Sequence, residues 1–175
     1  MSEKVLFVDD DPNLLSSCER SFRRRFQVET AEGGEAALQK IAERGPFAVV
    51  VSDRQMPRMD GITLLSLVRQ RAPNTVRIML TDNADLEGAI KVVNEGNIFR
   101  FLTKPCPPEI LGKAVEDALG QYRLVTAEEE LLNKKIPRRG RLGNSAGRHA
   151  GADRQRHHPA GTAPPRPRRH RLDRD

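Results

Sequence analysis

Phe47-Ala48-Val49-Val50-Val51-Ser52-Asp53 decides how this chain is read. Five consecutive apolar residues, three of them β-branched, are followed at once by a hydroxyl and a carboxylate. Alternating polarity marks a strand with one wet face. A run that is apolar at every position marks a central parallel strand covered on both faces. The run predicts a strand over 47–51, with Asp53 just beyond its carboxyl end. Ligands of open parallel sheets bind beyond the carboxyl ends of the strands.

The same arrangement recurs on either side. Lys4-Val5-Leu6-Phe7-Val8 predicts a first strand, and Asp9-Asp10-Asp11 follow it. Asp11-Pro12 supplies an N-cap and a proline at the first helical position. The helix it opens is expected to reach about Arg25, with Leu14, Leu15, Cys18 and Phe22 at helical spacing. A second strand is expected over 26–30. A second helix over 34–43 is stopped by Gly45-Pro46. Past Asp53, Met59-Asp60-Gly61 leads into a helix over about 62–71. A fourth strand over 76–80 is followed by Thr81-Asp82, and a fourth helix is expected over 86–94. A fifth strand over 98–103 is followed by Lys104-Pro105, and Pro107-Pro108-Glu109 opens the last helix. Five such βα units predict an α/β fold, a doubly wound parallel sheet with helices on both faces.

The last helix is longer than that fold needs. Ile110, Leu111, Ala114, Ala118, Tyr122, Val125, Leu131 and Leu132 carry an apolar stripe to about Ile136. Such a stripe reads as a signalling helix, a dimer seam or the lead into a second domain. The expected organisation is a domain over 1–120, a helical extension over 121–136 and a tail over 137–175.

Charge divides at the same point. Residues 1–136 hold 19 Lys and Arg against 21 Asp and Glu, while 137–175 hold 11 Arg against 3 Asp, so the net +6 comes from the tail. Nucleic-acid binding is therefore not expected of the front part. No apolar run approaches the ~20 residues of a membrane span. The start, Met1-Ser2-Glu3-Lys4, lacks a signal-peptide pattern. Cys18 and Cys106 form neither a disulfide framework nor a metal knuckle. A cytoplasmic protein is the simplest expectation.

The chemistry collects at strand ends. In a parallel sheet Asp9, Asp10, Asp53, Thr81 and Lys104 meet on one edge. Clustered carboxylates repel and call for a cation. Oxygen donors without His or Cys favour Mg²⁺ over zinc or copper. A divalent ion with ammonium and hydroxyl donors suits a transferring phosphoryl group, and an aspartate can accept one.

These motifs together resemble the response-regulator receiver family of two-component signalling. The match covers about residues 3–120. It rests on Val8-Asp9-Asp10-Asp11-Pro12, Ser52-Asp53-Arg54-Gln55-Met56-Pro57-Arg58-Met59-Asp60-Gly61, Leu80-Thr81 and Phe101-Leu102-Thr103-Lys104-Pro105. The resemblance implies a flavodoxin-like (βα)5 sheet with strand order 2-1-3-4-5. It makes Asp53 the phosphoacceptor. Asp10, Asp53 and the backbone carbonyl of Gln55 would bind Mg²⁺ directly, with Asp9 acting mainly through a metal-bound water. Thr81 would bond the phosphoryl group and report it, and Lys104 would contact a phosphoryl oxygen. Phe101 matches the switch aromatic. Gln55 and Asn83 match variable positions that help set dephosphorylation rate. Asp82 departs from the small residue often found after the threonine and adds negative charge at the rim.

The stretch 94–105, with 123–128 after it, is similar to receivers attached to HD-GYP cyclic-di-GMP phosphodiesterases or to some transcriptional activators. The chain itself carries no His-Asp pair, Gly-Tyr-Pro or helix-turn-helix pattern, so it is not expected to be an enzyme. The implied function is signal reception. A sensor histidine kinase or phosphotransfer protein would phosphorylate Asp53. The face made by the fourth helix, fifth strand and last helix would switch toward an unknown downstream effector. The extended last helix could serve a homodimer.

Plainer roles belong to other residues. Asp11 reads as a helix cap, Asp60-Gly61 as a turn and cap, Cys18 as a small core residue, and Cys106 as a partly exposed thiol. Phe7, Phe22, Phe26 and Phe47 read as core, and Arg23-Arg24-Arg25 as a solvated helix end. The tail cannot bury a core and is expected to be disordered. Three readings of it stand. It could bind nucleic acid or membrane weakly through charge, at Pro137-Arg138-Arg139-Gly140-Arg141 and Pro167-Arg168-Arg169. It could bind metal through His149, His157 and His158, against which stands the lack of a scaffold. Its Arg, Pro, Gly, Ala and His bias also fits GC-rich DNA read out of frame, a frameshift that removed an output domain.

Overall fold

The computed structural model describes residues 3–82 and 97–135. The expectations for the helix over 86–94, for Asn83 and for everything from 136 onward lie outside them. Five strands form one parallel sheet: β1 (Lys4–Asp9), β2 (Gln27–Glu32), β3 (Val49–Asp53), β4 (Val76–Thr81) and β5 (Arg100–Thr103). The order is β2-β1-β3-β4-β5. Helices α1 (Pro12–Phe22), α2 (Gly34–Arg44) and α3 (Gly61–Arg71) connect the first four strands, and α4 (Pro108–Lys135), the fourth helix among the described residues, follows β5. The order reverses between β1 and β3, so their carboxyl ends flank the crevice where such sheets bind ligands.

Both faces of the sheet are covered at its centre, which is why β1, β3 and β4 are buried along nearly their whole length. Val5, Phe7, Val49, Val51, Ile78 and Leu80 pack with Leu15 and Phe22 of α1 and with Leu111, Val115 and Leu119 of α4. Leu6, Val8, Val50 and Met79 pack on the other side with Ala37 of α2 and with Leu64, Leu65 and Val68 of α3. Phe7 and Phe22 stack with ring centroids 5.6 Å apart. Each such burial contributes about 1.5–3 kcal/mol. Together they hold the charged strand ends in place against mutual repulsion.

The boundaries differ from expectation for local reasons. β3 lies two residues later than the apolar run. Phe47 and Ala48 are only 1% exposed, and Ala48 already bridges the flanking strands, donating to the Lys4 carbonyl and accepting from Val76 N at 2.8 and 2.9 Å. Ser52 and Asp53, although polar, stay in the strand because they pair with Met79 and Leu80. α1 stops at Phe22 rather than Arg25, since the amides of Arg25 and Phe26 both bond the Phe22 carbonyl at 2.9 Å as the chain turns toward β2. Arg25 is not merely solvated: it pairs with Glu116 of α4 and lies over the Phe26 ring.

The apolar stripe of α4 splits in two. Leu111, Ala114, Ala118 and Tyr122 are core and Val125 is half-buried, but Ile110, Leu131 and Leu132 are 53–60% exposed, and Leu124 beside them is 68% exposed. The helix is nonetheless fastened beyond Tyr122. Arg123 donates from Nε and Nη2 to the two oxygens of Glu3, each at 2.6 Å, and Asn74 hydrogen-bonds Glu129. Among the described residues no helix is long and apolar enough to cross a membrane.

Candidate functional site

Pairing of Val8 with Ser52 brings the next residues of β1 and β3, Asp9 and Asp53, side by side at the switch point. They are 3% and 5% exposed. β4 ends on Thr81, also buried, and Thr81 pairs with Thr103 at the end of β5. Lys104 follows, its amide donating to the Thr81 carbonyl at 2.9 Å. Its Nζ then lies 3.1 Å from Asp9 Oδ2 and 3.2 Å from Asp53 Oδ1. Asp10 is exposed, yet carboxylate oxygens of Asp9, Asp10 and Asp53 all lie within 4.8 Å of one another.

Asp11 caps α1, accepting from Asn13 N at 2.9 Å, while its own amide donates to Asp9 Oδ1 at 3.0 Å. Asp60 caps α3 by accepting from Thr63 N at 2.8 Å. Both acids are therefore spent on helix ends, as expected. Gly61 has a role that its place in an Asp-Gly turn did not disclose. A Cβ there would meet the Asp53 carbonyl oxygen at 2.1 Å, and its amide donates to the Arg54 carbonyl at 2.8 Å. The loop that carries Gln55 folds back onto Asp53 only because this position has no side chain.

The electrostatics are unbalanced. Burial pushes the Asp53 carboxyl above its ordinary range; nearby Asp9 adds to this, while Lys104 and a backbone hydrogen bond from Gln55 oppose it. Burial pulls the Lys104 ammonium down, but its bond to Asp9 and the charges of Asp53 and Asp9 outweigh that, and it titrates above its usual value. Asp53 Oδ1 is buried and near Lys104, yet accepts no well-directed hydrogen bond. Three carboxylates thus lie around one ammonium, and Asp53 Oδ1 has only that ion pair. An oxygen-only donor set of this kind fits a hard divalent cation.

The other expected residues lie close by. Gln55 is exposed beside Asp53. Phe101, half-buried, pairs with Met79 and packs on the α2–α3 side of the core. Cys18 is a buried core residue whose thiol is pushed up to about 11, chiefly by burial, and Cys106 is raised by burial as well.

This fold, with acids at the switch point and a lysine reaching them from the fifth strand, defines a receiver. The family model described as the response regulator receiver domain matches residues 5–116, and the chain belongs to that family. Among its relatives is the transcriptional regulatory protein GlrR of Escherichia coli strain K12, 35% identical over 125 residues, which are 71% of this chain and 28% of that protein. The DNA-binding transcriptional regulator NtrC of the same strain is 33% identical over 68% of this chain and 25% of its own length. The chain therefore spans about a quarter of these relatives. The signal receiver domain of an HD domain-containing protein from Pseudomonas fluorescens Pf-5 superposes with TM-score 0.66 at 33% identity, over 70% of this chain and 98% of that one. It agrees with the subfamily resemblance read from residues 94–105. The structure of adenylate cyclase from Rhodopirellula baltica matches with TM-score 0.73 and 43% identity, over 77% and 99%.

Proposed function

We propose that this chain receives a phosphoryl group on Asp53 from a sensor histidine kinase or phosphotransfer protein. The observation that carries the reading is Asp53 Oδ1, a buried carboxylate oxygen without a directed hydrogen bond, 3.2 Å from Lys104 Nζ. Such an oxygen is costly to keep unless it binds or reacts. Asp10, Asp53 and the Gln55 carbonyl would hold Mg²⁺, with Asp9 acting through a bound water. The ion supplies charge neutralisation for the incoming phosphoryl oxygens. Lys104 binds one of those oxygens and Thr81 hydrogen-bonds another. The phosphoryl group then shifts a two-state equilibrium in which Thr81 and Phe101 move together.

The readout is a changed surface on β5 and α4, offered to a downstream effector. The exposed Leu124 and Leu131, seven residues apart on α4, favour pairing of two copies through that helix. The chain acts in the cytoplasm as a binding switch without a catalytic output of its own. Incubation with Mg²⁺ and acetyl phosphate, followed by intact-mass measurement, tests the reading. One phosphoryl adduct is expected on the wild type and none on Asp53→Ala; an adduct that persists in the variant refutes it.

A further inference from the structure

The outer face of α4 carries a short seam of its own. Leu124 and Leu131 are 68% and 60% exposed. Ala127 between them is exposed, and at Gly120 a Cβ would meet nothing within 4 Å. The two leucines therefore stand one heptad apart at a, with the small Gly120 and Ala127 at d. Setting the leucines at d instead would put Gln121, Glu128 and Lys135 at a, so the first register is the apolar one. The seam ends upstream at Asp117, the preceding a position, which pairs with Arg100 and Lys113 at 2.8 Å each.

The charged flanks of that seam decide how it can be covered. Arg123 and Glu130 fall at g, Glu128 and Lys135 at e. In a parallel pair each g residue lies beside the e residue of the partner's next heptad. That sets Arg123 against Glu128 and Glu130 against Lys135, opposite charges in both cases. Arg123 is already bonded to Glu3 of its own chain through Nε and Nη2. Glu130 and Lys135 are exposed and form no ion pair with another described residue, so theirs is the contact left to make. An antiparallel pair sets g against g and e against e, which separates Glu130 from Lys135.

We infer that the outer face of α4 is covered by a second copy lying parallel and in register, with Glu130 of each chain against Lys135 of the other. The inference rests on the reading that α4 pairs two copies, and adds their orientation and the residues that fix it. Parallel pairing turns both phosphoacceptor edges to one end and brings the two Lys135 residues together at the other.

The test is sedimentation of the full chain, with and without Mg²⁺ and acetyl phosphate, for wild type, Glu130→Lys, Lys135→Glu and an equimolar mixture of the two variants. A dimer is expected in wild type. Each variant alone sets like charges together twice, and its dimer dissociation constant should rise about tenfold. The mixture restores both contacts and should return close to the wild-type constant. Lys134→Cys, at d, reports the orientation: under mild oxidation, peptide mapping should find a disulfide joining position 134 of the two copies. Asn133→Cys, which faces the cleft under α4 beside Pro46 and Pro73, should give none. A dimer without the disulfide at 134, or one indifferent to both charge reversals, overturns the parallel register and leaves pairing through α4 standing. A dimer that survives Leu124→Glu, or a wild type that is monomeric under both conditions, overturns the two together.

Discussion

The two edges of the sheet are built on opposite terms. At the amino edge, buried polar groups are matched. Thr75 donates its hydroxyl to the Phe47 carbonyl at 2.7 Å. The buried Arg77 guanidinium donates to the Thr75 carbonyl at 2.8 Å, and on the surface Arg123 grips Glu3 with two bonds. At the carboxyl edge, two buried carboxylates share one ammonium with a third carboxylate beside them, and Asp53 Oδ1 is left with that ion pair alone. The comparison teaches where stability and chemistry were placed. One edge closes the fold, while the other is held in an unfavourable charge state by the core between them.

The largest break in that contrast should come from Lys104→Met. It strips the cation from two buried acids and is expected to cost about 3–5 kcal/mol at neutral pH in metal-free buffer, measured by urea unfolding. Without Lys104 the Asp53 carboxyl moves further upward. A carboxyl raised in the folded state destabilises above its folded pKa, and the penalty fades as pH falls through that value toward the unfolded one. The deficit should therefore shrink on acidification.

Gly61→Ala should follow, at about 3 kcal/mol, because the new methyl meets backbone rather than a side chain that can swing away. It should also weaken Mg²⁺ binding measured by calorimetry, whereas an equally destabilising core variant should not.

The next effect concerns alkaline pH. The Cys18 thiol titrates at about 11 in the fold against an ordinary 9.0. The unfolded chain thus loses its proton first, and stability declines as pH rises from 9 to 11. Two units correspond to roughly 2–3 kcal/mol. Cys18→Ala should flatten that decline in pH-dependent unfolding, whatever its offset at pH 7.

The smallest effect belongs to Glu3→Gln at the matched edge. The Arg123 bond that holds the Glu3 carboxyl below its usual range is weakened, and the unfolding midpoint should barely move, since exposed pairs contribute little. Amide exchange in α4 past Tyr122 should quicken while Asp53 phosphorylation stays unchanged.

Much of this architecture was legible because its signals are local. The apolar runs of β1, β3 and β4 announce a sheet buried on both sides, and a residue type that is costly to bury stands at the end of each run. Asp11-Pro12 and Asp60-Gly61 announce helix starts by capping chemistry alone. What escaped depended on distant partners. The pairing of Ser52 and Asp53 with β4 extended β3 past its apolar residues. Arg25 found Glu116, and Arg123 found Glu3 across nearly the whole domain. The stripe on α4 read as continuous because periodicity cannot tell a leucine facing the sheet from one facing water. Gly61 looked like turn chemistry because the nearness of the Asp53 carbonyl is a fact of three dimensions.

The unbroken 28-residue span of α4 has a mechanical meaning. Its first half is set in the core, and its second half runs on for about 20 Å past Tyr122 at 1.5 Å per residue. Its amino-terminal end starts from the carboxyl edge of the sheet, just after β5. Each degree of tilt at the buried end displaces the far end by about a third of an ångström. A tilt of the buried end would be carried to Lys135 enlarged, and the bonds of Arg123 to Glu3 and of Asn74 to Glu129 are what resist it.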